Sequence, residues 1–297
     1  MRRTCSYILF FVLFTWNTSA IAQIDAAYIG SFEQDYSAKI YGGYSFTSLT
    51  RQYASSSAET YIPNVPPYLG LGGSWKGIGG SLSYGPKFAN PHKKEERSDY
   101  LDLQFHYYGE RFVFDFFGER YNGFSIQSDS VQQFYPDVGV VKLGGFAQYN
   151  FNYKRFSYSA AFDQSKKQLK SAGTPSVGLA FYFTKVEAPS LFIEERASHR
   201  THILVGPSVG YAYTFVITDN YYATGSLSSG LHACIDTINN KGGICPAFYP
   251  RISSGYNAET WAVAFSAQYN VVYMSFAKAD TLGLGTLDGQ LAFVKRF

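Results

Sequence analysis

The sequence predicts an all-β protein, a transmembrane antiparallel β-barrel of about 12 strands that follows a cleaved signal peptide. Three observations favour this class. Apolar and polar residues alternate in many segments of strand length, an apolar stretch with a small-x-small site opens the chain, and an alternating segment ends it on an aromatic residue. The formal net charge of +3 over 297 residues gives no reason to expect nucleic acid as a partner.

The N-terminal segment predicts a signal peptide. Two arginines precede an apolar core at residues 8–16, and Ala20-Ile21-Ala22 supplies the small-x-small cleavage site. The apolar core is too short for a transmembrane helix, which needs about 20 residues. We therefore expect residues 1–22 to be removed on export and residues 23–297 to form one barrel domain in the outer membrane of a Gram-negative cell.

The clearest alternation lies in residues 100–124. One face of its two predicted strands is aromatic and aliphatic, whereas the other carries carboxylates and a histidine, which a dry interior could not hold unpaired. The polar residues of this second face are Asp102, Gln104, His106, Asp115 and Glu119. A sheet with an apolar outer face and a polar inner face is typical of a membrane barrel.

A tight turn at Gly109-Glu110 is predicted to join these two strands. The turn would place Gln104 opposite Asp115 and His106 opposite Val113. The predicted lumen polar cluster comprises Asp102, Gln104, His106, Asp115, Glu119, Lys142 and Arg155. Three carboxylates and a histidine close together are suited to proton transfer or cation binding. The alternative is a hydrated lumen in which the acids pair with the two basic residues.

The segment after this hairpin predicts a second one. Residues 141–151 alternate, and after a turn the chain would return through a strand at residues 156–163. In this register Lys142, Arg155 and Asp163 face inward, because a basic side chain facing lipid at mid-bilayer costs about 2–4 kcal/mol.

Among the remaining predicted strands, those from residue 176 onward have small residues on their inner faces, which would leave room in the lumen. These strands cover residues 39–48, the two arms about Trp75-Lys76-Gly77, and residues 176–184, 201–216, 221–231, 248–255, 261–273 and 287–297. The count is odd, whereas a single-chain barrel has an even number of strands. We predict 12 strands, or 14 if the segment 185–200 contributes another.

Two local features of the sequence predict irregularities in the barrel wall. Residues 68–85 are rich in glycine, which weakens a strand, so the wall there is predicted to be sharply curved or to have a large group packed against it. Pro207 lies inside a predicted strand, although a closed barrel has no free edge, and a bulge is predicted there.

Two cysteines remain after cleavage of the signal peptide. Cys234 and Cys245 flank a short Gly/Asn-rich segment, and in an exported chain such a pair predicts one disulfide, worth about 2–3 kcal/mol. A metal site would need further ligands, and only His232 is near. We predict no metal and no cofactor.

The motif Gly206 to Gly210, GPSVG, matches the G-x-S-x-G pattern of a nucleophile elbow. That motif works on a strand-to-helix turn that exposes the serine. Here Ser208 lies inside an alternating strand and faces inward, so no catalytic residue and no enzymatic activity are predicted.

The C-terminal segment resembles the terminal strand by which bacterial outer-membrane barrels are recognised for assembly. Its outward residues include Phe293 and the terminal Phe297, and Lys295 departs from the apolar residue that is usual there. We therefore expect outer-membrane lipid around the protein and the barrel-assembly machinery as a partner during insertion.

Several segments in order also resemble one known family. They are YIPNVPPYLGLGGSWKGIGGSLSYG, YLDLQFHYYGERFVFDFFGERYNGF, YNFNYKRFSYSAAFDQSKKQLKSAGT, GPSVGYAYTFV and the closing FVKRF. The chain resembles the domain-of-unknown-function 4421 family, outer-membrane proteins typical of Bacteroidota. The resemblance implies a barrel in the outer membrane, and it brings no activity, substrate or catalytic residue.

The function expected from these observations is non-enzymatic. We predict a pore for a small solute, or a structural or docking component of the outer membrane that binds a surface protein. One alternative is a membrane-embedded hydrolase acting on lipid or peptide, which would use Asp102, His106, Asp115 and Glu119. Another is the barrel partner of a surface lipoprotein complex.

Overall fold

The computed structural model describes residues 24–53, 58–126, 133–189, 198–237, 241–277 and 280–297. The expected signal peptide, residues 1–22, lies outside these residues, and so does the middle of the segment 185–200. No helix among the described residues has the length and apolar character needed to cross a membrane.

The described residues form fifteen strands and three short helical segments. The strands are β1 (Ile29–Ser31), β2 (Tyr36–Tyr53), β3 (Glu59–Ile62), β4 (Tyr68–Trp75), β5 (Ile78–Tyr84), β6 (Asp99–Tyr108), β7 (Phe112–Ile126), β8 (Gln133–Asn150), β9 (Lys166–Gln168), β10 (Ala172–Glu187), β11 (His199–Val216), β12 (Tyr221–Asp236), β13 (Lys241–Asn257), β14 (Trp261–Ala277) and β15 (Asp280–Arg296). Two 3-10 helices cover Lys87–Ala89 and Lys94–Glu96, and a π-helix covers Ser159–Asp163.

Twelve of the described strands form one closed antiparallel ring, in the order β2, β4, β5, β6, β7, β8, β10, β11, β12, β13, β14 and β15. The ring closes where β15 pairs with β2, with Arg296 opposite Ser37. The predicted barrel and its number of strands are confirmed. Of the other three strands, β1 pairs with β9 in a separate two-stranded sheet, and the short β3 bridges β2 and β7.

The two ends of the barrel differ in their connections. The first described residues and residue 297 lie at one end, which we call the near end, and its turns at residues 76–77, 217–220 and 258–260 are short. Lys76 and Gly77 have φ values of 49° and 85°, as a two-residue hairpin turn requires. The opposite end, the far end, carries longer connections such as residues 85–98.

Large apolar side chains cover the outer face of the ring. On β6, Leu101, Leu103 and Phe105 are 45%, 58% and 48% exposed, whereas Asp102 and His106 are buried. Aromatic pairs line the outer wall at the near end, with ring centroids 4.9–6.4 Å apart; they are Tyr36–Trp75, Tyr221–Tyr256, Tyr256–Trp261 and Trp261–Phe293. An apolar band with an aromatic girdle is the outer surface of a membrane barrel.

The wall is shorter on one side. β4, β5 and β6 span 8, 7 and 10 residues, whereas the flanking β2 and β7 span 18 and 15. Residues 63–67, which lead from β3 into β4, are fixed by hydrogen bonds from Asn64. The backbone N–H of Asn64 donates to Ser98 Oγ at 2.7 Å, and its side-chain amide donates to Ser125 Oγ at 2.9 Å. Ser98 Oγ in turn donates to the Gly123 carbonyl at 2.6 Å. The segment is therefore bound to β7.

Glycines on β4 and β5 make room for side chains from neighbouring strands. A Cβ atom at Gly70 would lie 2.1 Å from the ring of Tyr41, and one at Gly79 would lie 2.2 Å from Nε2 of His106. The glycine-rich segment therefore has large groups packed close against it, which is one of the two predicted reasons for its composition.

The segment after β8 does not form the strand predicted at residues 156–163. It folds into the near half of the lumen, where all five residues of the π-helix Ser159–Asp163 are buried and β9 follows. We call residues 156–168 the plug. The alternating aromatic residues that suggested a lipid-facing strand pack on one another instead, because Tyr158 lies 5.3 Å from Phe156 and 5.7 Å from Phe162 between ring centroids.

Small inward residues do not leave the lumen empty. In the near half, the aromatic residues of the plug pack against Ala172 on β10 and Ala212 on β11. In the far half, buried apolar side chains from opposite walls form a core; they include Leu49, Val138, Val140, Val186, Leu204, Met274, Leu282 and Leu284. The barrel therefore encloses a packed interior rather than a wide aqueous channel.

The bulge predicted at Pro207 is absent from the described strands β11 and β12. Val205 lies opposite Ala233 and Ser208 opposite Gly230, which is one continuous register. The pairing with β12 has a gap at Gly206 and Pro207, because proline has no N–H to donate. The proline is accommodated by the loss of backbone pairs between β11 and β12 and not by an extra residue in the strand.

Candidate functional site

The predicted polar residues of β6 and β7 face the lumen, but their cross-strand register differs from the prediction. Asp102 lies opposite Glu119, Gln104 opposite Phe117, and His106 opposite Asp115. The connection is longer than the predicted two-residue turn, because Tyr108 pairs with Val113 and four residues lie between them. The shift of two positions preserves the alternation, so the same residues still face inward.

Glu119 and Lys142 meet in the middle of the lumen. Lys142 Nζ lies 3.6 Å from Glu119 Oε2 and donates to Thr286 Oγ1 at 3.1 Å. Thr286 also contacts Thr47 Oγ1 at 2.7 Å. These four residues come from β7, β8, β15 and β2, so the group links both sides of the barrel.

A layer of buried tyrosines lies beside this group. Tyr41, Tyr68, Tyr100 and Tyr121 follow one another with ring centroids 6.0, 5.6 and 5.1 Å apart. Tyr68 donates to Asp288 Oδ2 at 2.8 Å, so β15 also contributes a carboxylate to the lumen. In the sequence, Asp288 alternates with the apolar residues of the last strand, but nothing in that pattern indicates its tyrosine partner.

Asp115 contacts a cation that the predicted cluster did not include. Arg251 on β13 lies 3.5 Å from Asp115 Oδ2 and donates to Tyr108 Oη at 3.0 Å, and Tyr108 Oη donates to Asp115 at 2.8 Å. The guanidinium also lies 3.9 Å from the ring centroid of Phe162 in the plug. Arg251 therefore joins the wall, the lumen carboxylate and the plug.

His106 contacts the plug directly. Its Nε2 lies 3.2 Å from Oδ1 of Asp163, and its ring stacks on Tyr108 with centroids 4.4 Å apart. Burial raises the pKa of the Asp163 carboxyl, but the hydrogen bond and charge of His106 and the charge of Lys39 outweigh burial and lower that pKa to about 2. Asp163 is therefore an ionised plug residue held by a wall histidine.

Arg155 does not join the lumen cluster. It lies in the turn that leads into the plug, where its half-exposed side chain is 3.5 Å from Asp25 and stacks on Tyr28. The prediction placed it inward because it assumed a strand after residue 155, and that strand does not form. Of the predicted cluster, Asp102, His106, Glu119 and Lys142 are buried, and Gln104 and Asp115 are partly buried.

The disulfide between Cys234 and Cys245 is confirmed. Both residues are buried inside the barrel, on β12 and β13, rather than at the tip of an exposed loop. Phe293 and Phe297 are 46% and 66% exposed on the outer face at the near end. Their role in assembly stays a prediction.

Ser208 lies in the middle of β11, opposite Gly178 on β10 and Gly230 on β12. No strand-to-helix turn follows it, since β11 continues to Val216. Its buried hydroxyl has no hydrogen-bond partner within the described part of the chain. The same described residues contain no group of three His, Cys, Asp or Glu side chains arranged to hold a metal ion.

The family model described as Domain of unknown function (DUF4421) matches residues 23–295. The chain belongs to this family. No curated protein matches it. The closed ring and its apolar outer face identify this member of the family as a β-barrel of the outer-membrane type. Short turns of such barrels face the periplasm, so the near end of this DUF4421 member is its periplasmic end.

Solved structures of similar fold are also membrane barrels. The β domain of the Bordetella autotransporter BrkA is 11% identical over 89% of this chain and 100% of that chain, with a TM-score of 0.44. The translocator domain of the autotransporter NalP from Neisseria meningitidis is 10% identical over 88% of each chain, with a TM-score of 0.40. Outer-membrane expressed OmpT of Vibrio cholerae is 8% identical over 86% of this chain and 98% of that chain, with a TM-score of 0.33. These similarities are too low to bear on function.

Proposed function

We propose that this DUF4421 barrel is a non-enzymatic structural or docking component of the outer membrane, closed to solutes. The observation that carries the proposal is a set of side-chain contacts across the lumen. Lys142 on β8 reaches Thr286 on β15, and Gln148 on β8 donates to Ser228 on β12 at 3.2 Å. Each contact joins strands that are not neighbours in the ring.

Small cavities between these contacts support a closed lumen. One cavity, lined by Gln148, Ser208 and His232 among others, measures about 20 Å³. A second, lined by Glu119, Arg251 and other residues, is also about 20 Å³. A cavity of this size holds about one water molecule. The plug adds a further barrier at the periplasmic end.

A non-enzymatic role is supported by the way the lumen groups are used. Glu119 contacts Lys142, Asp115 contacts Arg251, and His106 contacts Asp163, so three of the four residues that the hydrolase alternative would use already have a polar partner. A hydrolase acting on lipid or peptide would need at least one such group free beside a cavity that admits the substrate. The hydrolase alternative predicts that His106→Ala abolishes an activity, and an activity that His106→Ala abolished would contradict our proposal.

Planar-bilayer recordings on the refolded mature chain, residues 23–297, test the closed barrel. We expect no steady conductance, because cross-lumen contacts and the plug fill the interior. An open porin inserted by the same procedure is the positive control, and heat-modifiable gel mobility verifies that the test protein is folded. Steady conductance from the folded protein would make it a pore and refute the closed form.

A docking role is favoured by an exposed aromatic side chain at the far end of the barrel. Phe88 in the loop between β5 and β6 is 87% exposed, which is unusual for a phenylalanine. A photoreactive amino acid at position 88 should crosslink a discrete protein in native membranes, such as a surface lipoprotein. The matched control is position 151, an exposed phenylalanine at the periplasmic end. If position 88 crosslinked only to lipid, the docking role would be refuted and the structural role would remain.

Recognition of the terminal strand during insertion into the membrane is a separate question from the role of the folded barrel. We propose that Phe293 and Phe297 present the terminal strand to the barrel-assembly machinery. Replacing both by alanine should reduce the amount of folded protein in the outer membrane without changing the stability of protein refolded in vitro. An unchanged amount in the membrane would remove the assembly role.

A further inference from the structure

A cavity of about 730 Å³ opens at the periplasmic end of the barrel. Three parts of the chain enclose it: residues 31–37 before and at the start of β2, the ends of the β4–β5 and β6–β7 hairpins, and the plug with the end of β15. Its volume lies in the range of about 300–1,000 Å³ that small-molecule sites occupy. The closed-barrel role does not require this space.

Three cations on the wall of this cavity lack a carboxylate partner. Within the described residues, no Asp or Glu oxygen lies within 4.0 Å of the charged groups of Arg111, Lys166 or Arg296, although other ion pairs occur nearby. Arg111 stacks on Tyr153 at 4.7 Å from the ring centroid. The cavity is therefore rich in positive charge that the protein does not neutralise at contact distance.

Arg296 differs from the other two cations, because its side chain is buried and the protein satisfies its donors. Its five N–H groups donate to neutral oxygens, namely the carbonyls of Gln164, Ala258 and Glu259 and Oδ1 of Asn257. The guanidinium also lies 3.7 Å from the ring centroid of Phe32. Arg296 therefore contributes positive charge to the cavity but no free N–H for a ligand.

Two acidic residues also line the cavity, and they do not offset the cations. Asp35 lies 3.2 Å from Lys76 Nζ, so this pair is neutral. Glu110 lies at the exposed tip of the β6–β7 hairpin. The lining thus has four basic and two acidic residues, an excess of two positive charges.

The rest of the lining is aromatic and hydrogen-bonding. Phe32, Tyr107 and Phe112 are among the lining residues, and the last two are exposed on the outer face of the wall. Gln34 and Ser165 are also lining residues, and their buried side-chain oxygens have no hydrogen-bond partner within the described chain. Flat apolar groups suit the rings, and anionic oxygens suit the unpaired cations.

We propose that this periplasmic cavity binds an amphipathic anion, a carboxylate carried on a flat apolar body. The carboxylate lies toward Arg111 and Lys166, Arg296 adds its positive charge to the cavity, and the apolar body lies against the aromatic residues. The site goes beyond the closed-barrel role and is independent of it, because it opens to the periplasm and not through the lumen.

Binding of 1-naphthoate, compared with the neutral and equally shaped 1-naphthamide, tests the proposal. The full mature barrel is placed in lipid nanodiscs, and equilibrium dialysis measures bound ligand after subtraction of empty nanodiscs. We expect 1-naphthoate to bind at least about tenfold more tightly than 1-naphthamide, because the amide carries no negative charge and has an NH2 donor in place of one acceptor oxygen. Added salt should weaken the binding of naphthoate only.

The double variant Arg111→Gln/Lys166→Gln locates the site. It should weaken naphthoate binding by at least about tenfold and leave naphthamide unchanged. Lys154→Gln is the matched control, since Lys154 is an exposed lysine at the same end outside the cavity lining. Equal binding of the two ligands, no binding of either, or an unaffected double variant would each overturn the proposal. If the double variant fails to fold, the comparison of ligands and the salt dependence still decide.

Discussion

His106 on β6 lies 3.2 Å from Asp163 in the plug, although 57 positions separate them in the chain. Both side chains are buried, with 6% and 5% of their surfaces exposed. The contact joins the plug to the wall inside the barrel. It orients the plug together with other polar contacts, namely the hydrogen bonds from Ser159 Oγ to the Tyr108 carbonyl at 2.8 Å and from Gln164 Nε2 to Tyr222 Oη at 2.9 Å.

Replacing His106 by alanine should loosen the plug. The change leaves the Asp163 carboxylate buried without its partner, so we expect the free energy of unfolding to fall by about 1–3 kcal/mol. Urea unfolding in lipid vesicles, followed by intrinsic fluorescence, measures the change. His92→Ala, in the loop between β5 and β6, is the control and should have little effect. Equal stability of the two variants would contradict a role for the contact.

The contact should also depend on pH, with a defined sign. The pKa of Asp163 is about 2 in the folded protein, below its ordinary value of 3.8. A lowered folded-state pKa gives stabilisation that is complete above the ordinary value and is lost as pH falls through the folded one. We expect the plug to be firmly held at about pH 5 and to loosen between about pH 4 and pH 2.

Amide hydrogen exchange of residues 156–168, corrected for the intrinsic rate at each pH, measures this loosening. The central amides of β12 are the internal control. In Asp163→Asn, which cannot ionise, protection of the plug should no longer change over this range. A plug whose protection falls equally in Asp163→Asn would show that other groups cause the loosening.

The wall of the barrel could be predicted from the sequence because alternation reflects two different environments on the two faces of each strand. Leu101, Leu103 and Phe105 are exposed outward and Asp102 is buried inward, as their alternation predicts. The cost of facing a charge to lipid decides which residues of a strand face inward. It does not decide which residues of two strands lie opposite each other, so the alignment of His106 with Asp115 depended on the length of the turn.

The contents of the lumen could not be predicted in this way. Phe156, Tyr158 and Phe162 alternate as strand residues do, but a cluster of rings inside a barrel satisfies the same pattern. Arg251 was not expected beside Asp115, because the two lie on strands that meet only across the closed ring. Local periodicity carries no information about which walls face each other.

Burial of the disulfide leads to a prediction about its reactivity. Cys234 and Cys245 are 1% and 0% exposed, so a reductant should not reach them in the folded barrel. We expect alkylation with a large maleimide to label both cysteines only when reductant is added after unfolding in urea. Replacement of both by serine should cost about 3 kcal/mol or less, as the short closed loop implies. Rapid reduction in the folded state would show that the far end opens.

The close approach of Gly70 to Tyr41 gives the sharpest test of the packed interior. A Cβ atom at position 70 would lie 2.1 Å from the ring of Tyr41, which also packs edge-on against Tyr68 with centroids 6.0 Å apart. The ring is buried, so Gly70→Ala should lower the free energy of unfolding by about 1–3 kcal/mol. Gly225→Ala is the matched control, because a Cβ there meets no atom within 4 Å. Urea unfolding in vesicles measures both variants. If Gly70→Ala were as stable as Gly225→Ala, the tyrosine layer would have room to shift, and a packed lumen would no longer explain a closed barrel.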